Sequence, residues 1–143
     1  MTENESRQKL VGYRLDQAGE ALVAARTLLL AELFRDSVNR AYYAMFYAVL
    51  ALLATRNLGT SKHSGAIELF DREFVKSGVF PKEYSKWLHT AFDLRLQGDY
   101  RELTLVTKKV AEEMVRTAEV FIEQVRHNLE LLAVAGPGDP SSS

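Results

Sequence analysis

The 143-residue sequence is long enough for one domain that buries most of its apolar surface without disulfides or metals. Its 18 basic and 19 acidic residues give a net charge of −1, which excludes a strong overall attraction to nucleic acid or membranes but leaves room for a local basic patch. The absence of cysteine excludes disulfides, thiol catalysis and zinc–thiolate sites.

Helical periodicity predicts a first helix that begins after Thr2 and ends near Leu30. Thr2 and Glu5 have the spacing of a capping box, in which a hydroxyl accepts from a backbone N–H of the first turn. Apolar residues then recur at the spacing of one helix face, namely Leu10, Tyr13, Leu15, Ala18, Leu22, Ala25 and Leu29.

A second helix is expected to begin near Asp36 or Ser37, either of which suits an N-cap, and to end near Thr55. It contains the longest apolar run, Ala41–Ala54, which is too short to span a bilayer. A helix that is apolar on all sides must be covered on all sides, either by the other helices of a bundle or by a second subunit. Aromatic residues are enriched at interfaces, and those of this helix predict a homodimer: Tyr42, Tyr43, Phe46 and Tyr47.

The rest of the chain predicts three more helices. The third spans about Ser64–Lys76, and the fourth has Pro81 in its first turn and Gly98 as the residue that closes it. The fifth carries apolar residues at steps of three or four from Leu103 to Leu132.

Together these elements predict an all-α, antiparallel bundle of about five helices over residues 4–132, followed by a disordered tail over 133–143. The polar N-terminus has no signal-peptide core, so we expect a cytoplasmic protein that is not associated with a membrane. The three histidines are far apart in sequence and no glycine-rich phosphate loop occurs, so neither a metal nor a cofactor is predicted.

Arg95 interrupts the apolar face of the fourth helix, in the stretch AFDLRLQGDY. Three explanations are open. The guanidinium lies beside Asp99 at the helix end, with its stem on Phe92; or it anchors this helix to another; or it lines a cleft and binds a phosphate through its planar fork.

Other polar residues are candidates for the same cleft. Asn39 and Arg40 open the second helix, and Lys62 and His63 precede the third. The interval from Ser37 to Ile67 contains no carboxylate, so its cations form a local excess of positive charge that favours a nucleotide or polyanion. The alternative is that Arg56, Lys62 and His63 form a solvated loop.

Three segments carry a family resemblance: NRAYYAMFYA in the second helix, KHSG at the entry to the third, and RLQGDY after Arg95. With these segments, the chain resembles the HEPN domain superfamily over residues 4–132, and most closely its small single-domain prokaryotic members. The resemblance implies a helical bundle that dimerises. It also implies a toxin–antitoxin module in which a minimal nucleotidyltransferase is the protein partner.

Active members of that superfamily are metal-independent ribonucleases, and their motif is an arginine followed, after four to six residues, by a histidine. The arginine contacts the scissile phosphate, and Arg95 matches it by position. The histidine position is occupied by Tyr100, Arg101 or Glu102, depending on the spacing. Tyrosine titrates near pH 10 and is a poor base at neutral pH, so His63 is the remaining histidine candidate. The resemblance also implies that the nucleotidyltransferase modifies a tyrosine near the motif, here Tyr100.

Three functions therefore follow as expectations. The first is a protein that binds a nucleotide or RNA phosphate and acts with a nucleotidyltransferase, the second is a ribonuclease toxin with Arg95 and Tyr100 at a dimer cleft, and the third is a non-catalytic protein-interaction bundle. The expected phosphate-binding residues are Asn39, Arg40, Lys62, His63, Arg95 and Asp99.

Overall fold

The computed structural model describes residues 2–100 and 106–135, with the side chains of all but 97–100 and 133–135. In this part of the chain there are five α-helices and no β-strand, which confirms the predicted all-α fold. The helices are α1 (Glu3–Leu30), α2 (Phe34–Thr55), α3 (His63–Phe70), α4 (Lys82–Tyr100) and α5 (Lys108–Ala135), and a π-helical segment, Asp71–Val75, continues α3.

Helix α2 lies in the middle of the bundle. It packs against α1 along its length and also contacts α3, α4 and α5. As predicted, this apolar helix is covered on most sides, and the covering helices belong to the same chain. Tyr42 is fully buried and Phe46 is only 7% exposed, so the prediction that these two aromatic rings face a second subunit is wrong. No helix among the described residues is long and apolar enough to cross a membrane.

Two close approaches show that α1 and α5 run antiparallel. Arg26 forms an ion pair with Glu119 at 3.2 Å, and a side-chain carbon built at Gly19 would lie 3.2 Å from Arg126. The earlier α1 residue thus meets the later α5 residue. Both helices turn small or apolar side chains inward, and Ala18, Ala25 and Ala118 are completely buried.

The junction of α1 and α2 differs from the sequence prediction. Helix α2 begins at Phe34, with Leu33 as N-cap and no side-chain cap. Ser37 lies inside the first turn, fully buried, and donates to the backbone oxygen of Ala25 at 2.7 Å. Asp36 and Ser37 are therefore not N-caps. The hydroxyl that suggested a cap instead joins two helices, whereas Thr2 does cap α1 by accepting from the Glu5 N–H.

The ends of α3, α4 and α5 also differ from prediction in detail. Helix α3 begins one residue early and widens into the π-helical segment before residue 76, and α4 continues through Gly98 to Tyr100. Gly98 is thus not the residue that closes α4. Helix α5 begins at Lys108, where the Thr107 side chain accepts from Val110 N–H. Leu103, the expected start, lies outside the described residues.

Candidate phosphate-binding site

Arg95 lies near the C-terminal end of α4, where α4 meets α2. Its guanidinium carbon is 5.7 Å from the ring centroid of Tyr42 and 5.3 Å from that of Tyr43. These are cation–π distances, and such contacts hold a guanidinium more firmly as water is excluded. The side chain is half-buried. The expectation that Arg95 contacts another helix therefore agrees with the geometry.

A hollow of about 60 Å³ opens beside Arg95. It has room for several water molecules, and hence for one oxyanion group. Asn39 lines the same hollow from α2, so two of the candidate residues meet here. The lining also includes a second arginine, one carboxylate and three apolar residues: Arg35, Asp36, Val38, Leu94 and Val106.

His63 is the first residue of α3, and its ring is held in a fixed orientation. The imidazole lies flat on the Phe46 ring, with centroids 4.1 Å apart and an interplanar angle of 2°. Its Nδ1 is 2.7 Å from the hydroxyl oxygen of Tyr42. The ring is half-buried, so the alternative that His63 belongs to a solvated loop is wrong. It contacts the same two tyrosine rings as Arg95, with centroids at 5.7 Å from Tyr42 and 5.5 Å from Tyr43.

The environment shifts the pKa values of both members of this hydrogen bond. Burial raises the pKa of Tyr42, so the phenol keeps its proton throughout the physiological range. Burial, and then the positive charge of Arg95, lowers the pKa of His63 below its usual value. The free site at neutral pH therefore combines a permanent guanidinium with a neutral imidazole.

The other predicted cations lie at different distances from this centre. The Arg40 guanidinium is 4.6 Å from the Tyr43 centroid and donates to the Asn39 side chain at 3.2 Å. It therefore belongs to the rim of the site. Lys62 is exposed next to His63. Arg56 packs 4.2 Å from the Phe74 centroid and donates to the backbone oxygen of Glu73. At about 1.5 Å per residue, Arg56 lies about 24 Å along α2 from Arg40.

Several predicted site residues are not described by the structure. The side chains of Asp99 and Tyr100 lie outside the described residues, as do Arg101 and Glu102 entirely. The explanation that pairs Arg95 with Asp99, and the role of Tyr100, therefore stay predictions. Among the described residues, no three His, Asp or Glu side chains are grouped as a metal site requires.

Sequence reasoning missed the residues that support and line the site. Tyr42 and Phe46 were expected at a subunit interface but instead hold His63 and Arg95. Arg35 was not considered. One signal was available: Arg35 lies four residues before Asn39, and Asn39 three before Tyr42, so all three fall on one stripe of α2. The approach of His63 to this stripe has no such signal, because it depends on where α3 packs.

Comparison with known proteins connects this geometry to a family. A family model described as the HEPN domain matches residues 11–128. A UPF0332 protein of Thermotoga maritima is 40% identical, over 87% of this chain and 94% of that protein.

Two proteins of Methanocaldococcus jannaschii, each named "Putative toxin", are also similar. One is 36% identical over 81% of this chain and 86% of its own length. The other is 30% identical over 80% of this chain and 78% of its own length. The resemblance seen in the sequence is thereby confirmed: this chain belongs to the HEPN domain family.

Proposed function

We propose that this chain is a toxin-type HEPN protein that binds a phosphate group of RNA or of a nucleotide in the hollow beside Arg95. One observation carries the proposal: Arg95, whose guanidinium is held over two tyrosine rings, lines a hollow together with Asn39. A guanidinium presents several N–H donors in a plane, which suits phosphate oxygens. The names of the two Methanocaldococcus relatives support the toxin assignment.

The other candidate residues have distinct roles in this proposal. Asn39 donates an amide hydrogen bond from the wall of the hollow, while Arg40 and Lys62 add positive charge at its rim. His63 lies on the same pair of tyrosine rings as Arg95. Asp99 follows Arg95 by four residues, so it orients the guanidinium if the two side chains meet across one helical turn.

A nucleotidyltransferase is the protein partner in this proposal, and the two proteins form a toxin–antitoxin pair. Tyr100 follows the arginine at the spacing at which active relatives carry their histidine, so we expect the transferase to modify the Tyr100 hydroxyl. Intact-mass and peptide mass spectrometry after co-expression measures this modification. An unmodified Tyr100 in an active pair would remove this part of the proposal.

A homodimer is also part of the proposal. Tyr43, Tyr47 and Leu50 lie on α2 and are only partly covered by their own chain. They share one side of the helix with Arg40, next to the rim of the hollow. A second copy packed on this side would bring two phosphate sites close together.

Binding of a fluorescein-labelled single-stranded RNA of about twelve nucleotides and mixed sequence tests the proposal. Arg95→Ala should weaken binding at least tenfold, because a hydrogen bond to a charged group contributes about 1.5–3 kcal/mol. The affinity of Arg95→Lys should lie between those of the wild type and Arg95→Ala, since lysine keeps the charge but lacks the planar set of N–H donors. Arg72→Ala is the matched control, because Arg72 is exposed on the π-helical segment that contacts Arg56 at the other end of α2. Equal affinity of the Arg95→Ala and Arg72→Ala proteins would contradict the proposal.

The second candidate function is metal-independent ribonuclease activity, favoured by the position of Arg95 in the family's motif. In that reaction the ribose 2′-oxygen bonds to phosphorus while the bond to the 5′-oxygen breaks, which leaves a 2′,3′-cyclic phosphate and a 5′-hydroxyl. The same RNA, incubated with EDTA and analysed on a denaturing gel, distinguishes the two functions. Cleavage that is lost in Arg95→Ala supports a ribonuclease, whereas bound and intact RNA supports a binding protein.

A further inference from the structure

His63 and Tyr42 form a hydrogen-bonded pair in which the direction of the bond can be assigned. Tyr42 is completely buried, so its hydroxyl proton needs an acceptor inside the protein. In the described part of the chain, the acceptor within reach is Nδ1 of His63, at 2.7 Å. Tyr42 therefore donates and Nδ1 accepts. In the neutral ring, the hydrogen must then be on Nε2.

This assignment changes what His63 can do in the free protein. A general base needs a free lone pair, and here Nδ1 uses its lone pair to accept from Tyr42 while Nε2 carries a hydrogen. Nε2 points away from the Tyr42 hydroxyl, and the stack on Phe46 and the bond to Tyr42 hold the ring in this orientation. His63 thus presents a hydrogen-bond donor beside Arg95, and it is not a substitute for the base of an active ribonuclease at neutral pH.

The charges around His63 oppose a positive charge on the imidazole. The groups that face the ring are Tyr42, Tyr43 and Phe46 from α2 and Arg95 from α4, and Lys62 precedes it in the chain. Both ionised groups in this set are cations. The guanidinium lies over the same two tyrosine rings as the imidazole. A proton added to His63 would therefore lie close to Arg95, and the Asp36 carboxylate, which lines the hollow with Arg95, is not among these contacts.

An anion bound in the hollow makes protonation of His63 more favourable. A phosphodiester carries one negative charge and accepts hydrogen bonds from Arg95, so it cancels the field that disfavours imidazolium. His63 is not among the residues that line the hollow, so the anion favours the imidazolium through its charge and not through a hydrogen bond. Once His63 is protonated, Nδ1–H donates to the Tyr42 oxygen and the Tyr42 proton loses its acceptor, so the charge of the anion has to outweigh that cost.

We infer that His63 takes up a proton when a phosphodiester binds beside Arg95, which adds one positive charge next to the bound anion. This inference rests on the phosphate-binding function proposed above. By linkage, phosphodiester affinity is highest below the pKa of His63 in the free protein. It falls as the pH rises toward the higher pKa of the bound protein, and it is constant above that value. Each unit between the two pKa values corresponds to a tenfold change in affinity.

A histidine-selective NMR titration between about pH 5 and 8 tests the inference. The probe is a 2′-O-methyl oligouridine of about ten nucleotides, because it cannot be cleaved and its phosphodiesters keep one charge over this range. The His63 signal, assigned with His63→Gln, should titrate about one pH unit higher with the probe than without it. His89 and His127 are exposed and serve as internal controls that should not move.

The affinity for the same probe, measured by fluorescence anisotropy, gives an independent readout. Wild-type affinity should fall by up to tenfold between pH 5.5 and 8, and His63→Gln should flatten this dependence because glutamine does not titrate. His89→Gln should retain it. If His63→Gln does not fold, as judged by circular dichroism, His89→Gln and His127→Gln assign the His63 signal by elimination, and the wild-type titration decides the question.

The possible failures are distinguishable. Probe binding that depends on Arg95 but leaves the titration of His63 unchanged would overturn this inference and leave the proposed function intact. Failure of the wild-type protein to bind any RNA probe would overturn both this inference and the RNA-binding part of the proposed function. Nitrogen-15 shifts at pH 8 that place the hydrogen on Nδ1 would refute the assigned bond direction, and with it the inference.

Discussion

Ser37 joins α1 and α2 through a single hydroxyl. It is completely buried and donates to the backbone oxygen of Ala25 at 2.7 Å, twelve residues earlier in the chain. Thr27 makes a chemically similar bond to the backbone oxygen of Val23 at 2.9 Å, but on an exposed side of α1. The two hydroxyls therefore form a matched pair that differs in burial.

We expect Ser37→Ala to lower the free energy of unfolding by about 1 kcal/mol, because a buried hydrogen bond contributes roughly that much. Thr27→Ala should change it by less than about 0.5 kcal/mol, since water replaces the lost exposed bond. Urea denaturation measures both changes in free energy, and the m value should stay the same in the two variants. Equal midpoints for the two variants would mean that the Ser37 bond contributes nothing to stability.

Arg95 shows how far residue-level reasoning from sequence extends. Its place on an apolar helix face was enough to single it out, and the structure gives it two aromatic contacts and a hollow. Its neighbours were harder to predict. Tyr42 and His63 are 21 residues apart and lie on different helices, so only the packing of α3 on α2 brings them together.

The helices themselves follow from the sequence because apolar residues at a period of 3.6 are a strong signal. Their ends are less predictable, since a residue that favours a cap can find a better partner in the tertiary structure. Ser37 bonds to α1 instead of capping α2. Gly98 lies inside α4, although glycine commonly closes helices. The widening of α3 into the π-helical segment Asp71–Val75 has no signal in the apolar pattern.

The glycine in the first half of α1 gives a prediction at the scale of a single helix. A Cβ built on Gly12 meets no described atom within 4 Å, so alanine fits there without a clash. Gly12→Ala should therefore raise the free energy of unfolding by about 0.5–1 kcal/mol, because alanine restricts the unfolded chain and favours helix.

Gly78 is the contrasting position. It follows the π-helical segment with a φ of +86°, a value that alanine adopts only with strain. Gly78→Ala should lower the free energy of unfolding by about 1 kcal/mol or more. Thermal unfolding of both variants measures these two changes in stability, which should have opposite signs. A stabilised Gly78→Ala protein would show that this turn changes its backbone conformation at little energetic cost.

The oligomeric state is a property of the whole molecule, and the fold limits which side of α2 a second copy has to cover. Since Tyr42 and Phe46 are covered by their own chain, the proposed homodimer has to use the partly covered side of α2 that carries Tyr43 and Tyr47. Light scattering after size-exclusion chromatography should give twice the chain mass for the wild type.

Tyr47→Glu should shift that mass toward the monomer, because it buries a charge in an apolar contact. Tyr13→Glu is the control, since Tyr13 is 56% exposed on α1. A monomeric wild type would refute the dimer, and a dimer that Tyr47→Glu leaves unchanged would refute this side of α2 as the interface.

The central position of α2 has one more consequence. The rings that hold Arg95 and His63 belong to the same helix that contacts α1, α3, α4 and α5. Their order is established during folding, so a ligand meets side chains that have little conformational freedom left to lose. Bundle melting and ligand release should consequently be thermodynamically linked, and a saturating phosphodiester should raise the melting temperature of the entire domain.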